Sequence, residues 1–242
     1  MNGKSTKKSY IKQGLKDGLP IGLGYFSVSF AFGLSTVTAG FAIWQALLIS
    51  MTNLTSAGQL AGVTLMATFA SFVEIALAQL VINIRYSLMS ISLAQKLDET
   101  FRTRDRFLLS AFITDEIFAV ASSYSSINRT YMKALAILPY FGWTLGTLAG
   151  AVLGELLPAE LVSSLGIAIY GMFIAIIIPP AKKSKSVFGV VIVSASLSCI
   201  IHYTPLSKYI SSGFSIIICA IVTSLIFAAI FPLKETEENE NE

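Results

Sequence analysis

Asn53-Leu54-Thr55-Ser56-Ala57-Gly58-Gln59 is a polar interruption between apolar runs, and the stretch it opens, Gln59 to Arg106, decides how the rest of the chain reads. From Gln59 the chain is apolar through Glu74 to Asn83-Ile84-Arg85-Tyr86, then basic and mixed in charge up to Arg106. Asp115-Glu116 follows inside a further apolar run. A backbone break such as 53–59 does not face lipid, where unpaired N–H and C=O groups find no water. Carboxylates in lipid-length apolar segments cost roughly 2.5–3.5 kcal/mol each at a helix centre. Such groups are more easily explained by function than by architecture.

The chain has 242 residues, of which 54% are hydrophobic and 13% charged, with a mean hydropathy of +0.72. That composition is too apolar for a soluble domain and indicates one integral membrane domain over 19–231. The formal charge of +3 hides an asymmetry. Lys4, Lys7, Lys8, Lys12 and Lys16 form a basic cytoplasmic segment over 1–18, and five glutamates close an acidic tail over 232–242. Both ends are expected to lie unfolded, the tail as a disordered segment. The apolar run after the lysines is long enough to span and lacks an A-x-A cleavage site, so it reads as a retained first helix. The lysines are explained by the positive-inside rule, and no nucleic-acid partner is implied.

About 20 apolar residues cross a bilayer core as a helix. The expected fold is therefore all-α, a polytopic membrane bundle of about seven spans: 19–39, 60–82, 107–126, 134–154, 160–178, 187–203 and 209–231. Residues 41–52 are too short to cross alone, and with 53–59 they form either half of a broken helix or a re-entrant hairpin. Pro179-Pro180 is expected to end a helix. Basic residues place the amino terminus, Lys96–Arg106, Arg129/Lys133 and Lys182-Lys183-Lys185 on the cytoplasmic side. Simple alternation breaks this rule if 107–126 crosses fully. Either that segment dips in and returns, bent near Asp115-Glu116, or one basic loop violates the rule. Gly142, Gly146, Gly150 and Gly154 form one small-residue ridge, and Gly22, Ser29, Gly33, Thr36 and Gly40 another, as close helix contacts in lipid require. Similar hydropathy over 19–97 and 134–231 hints at duplication.

Glu74, Asp115 and Glu116 are the candidate ion- or proton-coupling groups, because intramembrane acids line pathways far more often than they face lipid. Asp115 and Glu116 point about 100° apart on a helix, so one of them dominates any given cavity. Arg85 either snorkels to the interface or holds a carboxylate through its planar fork, with Asn83 beside it. In the break, Asn53, Thr55, Ser56, Gly58 and Gln59 offer a substrate cradle, since a helix that restarts in the membrane presents N–H groups to anions and freed carbonyls to cations. An amino-acid zwitterion needs these parts: N–H donors for its carboxylate, an acid for its ammonium, and an apolar pocket. His202 reads as a helix-end residue, and Cys199 and Cys219 read as small apolar groups. No metal spacing, cofactor fingerprint or catalytic motif is present, so no cofactor and no enzymatic activity are expected.

Gly18-Leu19-Pro20-Ile21-Gly22, the Ser56–Gln59 run, Asn83-Ile84-Arg85-Tyr86-Ser87-Leu88-Met89-Ser90 and Thr114-Asp115-Glu116 follow one another in the order seen in the AzlC family. The chain resembles that family over most of residues 14–231. The family comprises the large subunits of bacterial branched-chain amino acid exporters. The resemblance thus implies a multi-pass permease of the cytoplasmic membrane that exports leucine, isoleucine, valine or analogues on an ion gradient, paired with a small AzlD-like membrane subunit. The competing reading is a membrane scaffold or assembly subunit that binds a partner through its glycine ridges. An intramembrane enzyme would need paired acids facing one cavity, and adjacent Asp115-Glu116 do not supply that.

Overall fold

The structure, a computed structural model, describes the backbone of residues 3–232 and the side chains from residue 7 onward, apart from some between 159 and 176. The acidic tail expected beyond Pro232 lies outside the described residues. Among the described residues the long elements are all helices: α1 (Gly3–Thr38), α2 (Ile43–Thr52), α3 (Ser56–Ala67), α4 (Phe72–Ala94), α5 (Thr103–Ser110), α6 (Asp115–Ser122), α7 (Arg129–Leu156), α8 (Ala159–Lys183), α9 (Lys185–Tyr203) and α10 (Ser212–Ile230). Among them α1, α4, α7, α9 and α10 are long and apolar enough to cross a membrane. The protein is a polytopic helical membrane protein. It divides into one unit of residues 1–70 and 82–172 and another of 71–81 and 173–242.

The first unit is built on α1 and α7, whose mutual contact is the most extensive in the chain. The small-residue ridges explain it. A Cβ on Gly142 would strike the Gly22 carbonyl, one on Gly150 the Phe30 carbonyl, and one on Gly33 the Thr147 carbonyl. Backbones can approach this closely only where side chains stop at hydrogen, and in lipid that approach supplies the dispersion contacts that hold helices together. The ridge reaches further toward the amino end than expected, because Gly14 meets Tyr131 and Ala134, and Gly18 meets Leu135. Gly40 is not part of it: with φ +92 it follows the end of α1, and a Cβ there would meet nothing within 4 Å. The partners rise together along both helices, so α1 and α7 run parallel. Because α1 starts at Gly3, the basic leader expected to lie unfolded is instead the first turns of this helix.

Two expected spans are corrected. Residues 60–82 break at Thr68–Ser71: Phe69 adopts φ 56 at the end of α3, and the Ser71 hydroxyl accepts from the Glu74 amide to start α4, a serine cap of the usual kind. Residues 107–126 break at Ala111–Thr114, where the Thr114 hydroxyl caps α6 by accepting from the Ile117 amide. Pro179 and Pro180 do not end their helix, which runs on to Lys183.

Each broken pair is a hairpin. The chain leaves at Leu97 and returns to it at Ile127, where the Asp98 amide donates to the Ile127 carbonyl (3.1 Å) and the Ile127 amide to Lys96 (2.8 Å). Lys96 Nζ also reaches the Ser122 carbonyl at 2.5 Å. The α5–α6 excursion therefore begins and ends at the Lys133 end of α7. The other pair turns too. Ser50 near the end of α2 meets Thr147 at 2.7 Å and Tyr140 donates to the Met51 carbonyl at 3.3 Å, so α2 runs antiparallel to α7. Gln59 Nε2 then donates back to Ser50 at 3.0 Å, whereas a straight continuation would carry it roughly 20 Å away. A helix followed by a helical hairpin occurs twice, once with α1 and once with α4, entered from opposite ends of α7. This repeat does not follow the 19–97 and 134–231 division.

Asp105 pins the second hairpin at its base, accepting from Lys133 (2.5 Å) and Arg129 (3.1 Å). Those hydrogen bonds, Lys133 foremost, hold its carboxyl down to about 2. With a depressed value the contribution to stability is complete above the ordinary carboxylate range and is lost only as pH falls through about 2. Asp105→Asn is therefore expected to speed amide exchange across 98–110 at neutral pH, an acceleration the parent chain reaches only in strong acid.

In the second unit α9 packs on α10, with Gly189 against the Phe227 ring. Cys199 and Cys219 are both free thiols, and His202 sits edge-on to Tyr203 at the end of α9.

Candidate functional site

Depth follows from α7. At about 1.5 Å per residue, Lys133 and Glu155 are about 33 Å apart along the helix, close to the ~30 Å hydrocarbon core. Trp143 stands near the midpoint. Its ring meets Tyr25 of α1 edge-on, with centroids 5.2 Å apart, which puts Tyr25 at the same depth. Both hairpin tips converge there. Leu54, in the break between α2 and α3, is buried with Tyr25 and Trp143. Thr114, at the break between α5 and α6, accepts from the Tyr25 hydroxyl at 2.6 Å, and Glu116 is hydrogen-bonded to the same hydroxyl. Phe112 packs edge-on against Tyr140 at 5.3 Å. Tyr25 thus shares a buried cluster with one tip and hydrogen-bonds to the other. Sequence reading missed it, although a hydroxyl placed centrally in the first apolar run was the signal to follow.

The first unit's part of α4 passes these tips. A Cβ on Gly58 would lie 2.8 Å from the Asn83 Oδ1 and 2.5 Å from Thr55 Oγ1, so only glycine lets the first turn of α3 lie this close to α4. Thr55 donates to Asn53 Oδ1 at 2.8 Å, closing the turn. Arg85 Nη1 pairs with Asp115 Oδ2 at 2.8 Å while Nη2 donates to the Tyr86 hydroxyl at 3.0 Å. This pair is 44% and 47% exposed. At mid-depth, a half-exposed ion pair is incompatible with lipid tails and demands a wet cavity or a covering partner.

The two helix starts at the tips differ in charge. The first turn of α6 carries Asp115 and Glu116, which offset its positive dipole end, whereas the first turn of α3 carries no acid. Of the expected cradle residues, Asn53, Thr55, Ser56 and Gly58 form this tip. Gln59 starts there too but is 1% exposed, its amide nitrogen tied into the buried Ser50–Thr147 chain, so it braces the hairpin. Asn83, Arg85, Asp115 and Glu116 join the tip residues around Tyr25.

Glu74 does not join them. It lies about 16 Å along α4 from Arg85, and in the second unit it accepts from the Ser211 hydroxyl and from the Gly213 amide (2.9 Å) at the start of α10. It acts as a buried cap for that helix, where a carboxylate meets both the free amides and the dipole. Glu74→Gln keeps the accepting oxygen and is expected to leave the unfolding temperature unchanged, while Glu74→Ala is expected to cost about 1–3 kcal/mol by orphaning the Gly213 amide. Thermal unfolding of the two variants checks both. Among the described residues no group of His, Cys, Asp or Glu could hold a metal ion.

The family model described as AzlC protein matches residues 20–157, which contain α2 to α7 and the second half of α1. An uncharacterized membrane protein of Archaeoglobus fulgidus is 31% identical over 73% of this chain and 78% of its own. The inner membrane protein YgaZ of Escherichia coli is 26% identical over 89% of this chain and 90% of its own. An uncharacterized membrane protein of Helicobacter pylori is 28% identical over 58% of this chain and 64% of its own. No solved structure matches. The chain belongs to the AzlC family, whose matched region holds all of the residues gathered around Tyr25.

Proposed function

We propose that the protein is a secondary transporter that exports branched-chain amino acids across the cytoplasmic membrane together with a small AzlD-like membrane subunit. The observation that carries this reading is the Arg85–Asp115 pair, half exposed at mid-depth where the two hairpin tips meet. An α-amino acid can replace each charge of that pair with its own opposite: its ammonium on Asp115, its carboxylate on Arg85 and on the acid-free first turn of α3. Repeated helix-plus-hairpin units of opposite sense, with helix starts at the midplane, support the same reading, since many ion-coupled transporters bind substrate between inverted repeats at broken helices.

Orientation follows from charge. With the Lys133 end of α7 inside, the amino-terminal lysines, Lys96–Arg106 and Arg129/Lys133 share the cytoplasmic face. The α5–α6 hairpin enters from that face and α2–α3 from the other. The coupling group in this scheme is Glu116, which accepts from the Tyr25 hydroxyl of α1. Counterflow of labelled leucine in proteoliposomes holding both subunits tests the proposal: saturable exchange of leucine, isoleucine and valine is expected, and its absence with both subunits present would leave the scaffold reading.

A further inference from the structure

Between α5, α7 and the first unit's part of α4 lies a cavity of about 160 Å³ that the central site does not use. Its walls are aliphatic, with Leu93, Leu109, Ile113 and Met132 among them, and its polar lining comes from Arg106, Ser90 and Ser110. Both serine hydroxyls donate to their own helices, to Tyr86 and Phe107. Arg85 pairs with Asp115, and Arg129 and Lys133 with Asp105. Among the described residues Arg106, like Arg102 and Arg104 beside it, is in no such ion pair; of these three only Arg106 lines the cavity, and no acid does. A guanidinium without an acid, beside an apolar hollow, is the complement of an aliphatic carboxylate.

We propose that this cavity is a second binding site, an entry site that takes a branched aliphatic side chain into the Leu93–Met132 hollow and its carboxylate onto Arg106. The proposal rests on the export reading above, which puts the α5 base on the cytoplasmic face. The site differs chemically from the centre because it has nothing to hold an ammonium. It therefore reads the carboxylate and the alkyl group alone, and passes substrate along α5 to the tip at Ile113, where the ammonium is first recognised.

The experiment is equilibrium binding of labelled leucine to the purified full chain in nanodiscs, in the parent and in an Arg85→Gln/Asp115→Asn background that disables the centre. In that background residual leucine binding is expected, displaced by 4-methyl-2-oxopentanoate but not by 3-methylbutylamine, and favouring leucine over alanine by at least about tenfold from the extra buried carbons. Arg106→Gln is expected to weaken it about tenfold or more through loss of a charge-assisted bond. Ser110→Phe, introduced at an exposed rim position, is expected to abolish it by filling the hollow, and Arg104→Gln, on the same helix but outside the lining, to leave it unchanged. Displacement by the amine as well as by the oxo acid, or binding insensitive to both Arg106→Gln and Ser110→Phe, overturns the proposal. Leucine affinity identical in the parent and in the Arg85/Asp115 background would instead sink the central reading and leave this site standing.

Discussion

On the export reading, Asp115→Asn is expected to lower the initial rate of leucine counterflow by about 10- to 100-fold, the loss that follows when one charge-assisted contact to a substrate ammonium becomes a neutral one. Arg85→Gln does the same through the carboxylate. The informative chain is the double variant. If each residue serves only to hold the other, removing both restores a neutral, satisfied pair and the chain recovers. If both hold the zwitterion, the double variant is worse than either single. The second outcome is expected, because the pair is too exposed to be needed for folding: a half-exposed ion pair contributes little stability, about 0–1 kcal/mol. Unfolding curves of the three variants should therefore overlay the parent while their fluxes do not. Full flux in the double variant removes both charges from the mechanism.

Gly150→Ala is expected to lower the unfolding temperature in detergent by about 5–10 °C, the effect of overpacking a seam that cannot relax. The new methyl meets the Phe30 carbonyl well inside contact distance, whereas ordinary contact starts at 3.4 Å. A carbonyl cannot rotate away as a side chain can, so α1 and α7 must separate along their length. Gly24→Ala in α1 is the matched control. Nothing lies within 4 Å of its Cβ, and alanine suits a helix interior better than glycine by roughly 1 kcal/mol. That chain should melt no lower than the parent. Equal effects at the two positions would mean that the glycines mark helix flexibility instead of close approach.

The glycine ridges were legible because a single property, side-chain size at a fixed spacing, determines who can touch. Asn53, Thr55, Gly58, Asn83, Arg85 and Asp115 each stood out as groups that lipid would not tolerate, but nothing in the sequence showed which of them meet. Hydropathy failed at 60–82 and 107–126, since it averages over the few residues that stop a helix. The stop signals were present: Ser71-x-x-Glu74 and Thr114 followed by two acids are both helix-start patterns. Glu74 was misread for the same reason. Its partners Ser211 and Gly213 lie far along the chain, and no local pattern announces a carboxylate that caps a distant helix. Tyr25 did not stand out because tyrosine in an apolar run is ordinary until its hydroxyl is seen to reach Thr114 and Glu116.

Glycine-mediated contact along the whole of α1 and α7 has a mechanical corollary. Two rods touching backbone to backbone have no compliant layer between them, so they cannot slide or pivot without losing the seam at once. This pair is a fixed mast. On the export reading, exposure of the central charges first to one side and then to the other would have to come from parts hung on it, the two short hairpins above all. Access would then alternate by small gates swinging at half-depth past a stationary Tyr25, with no rocking of α1 against α7.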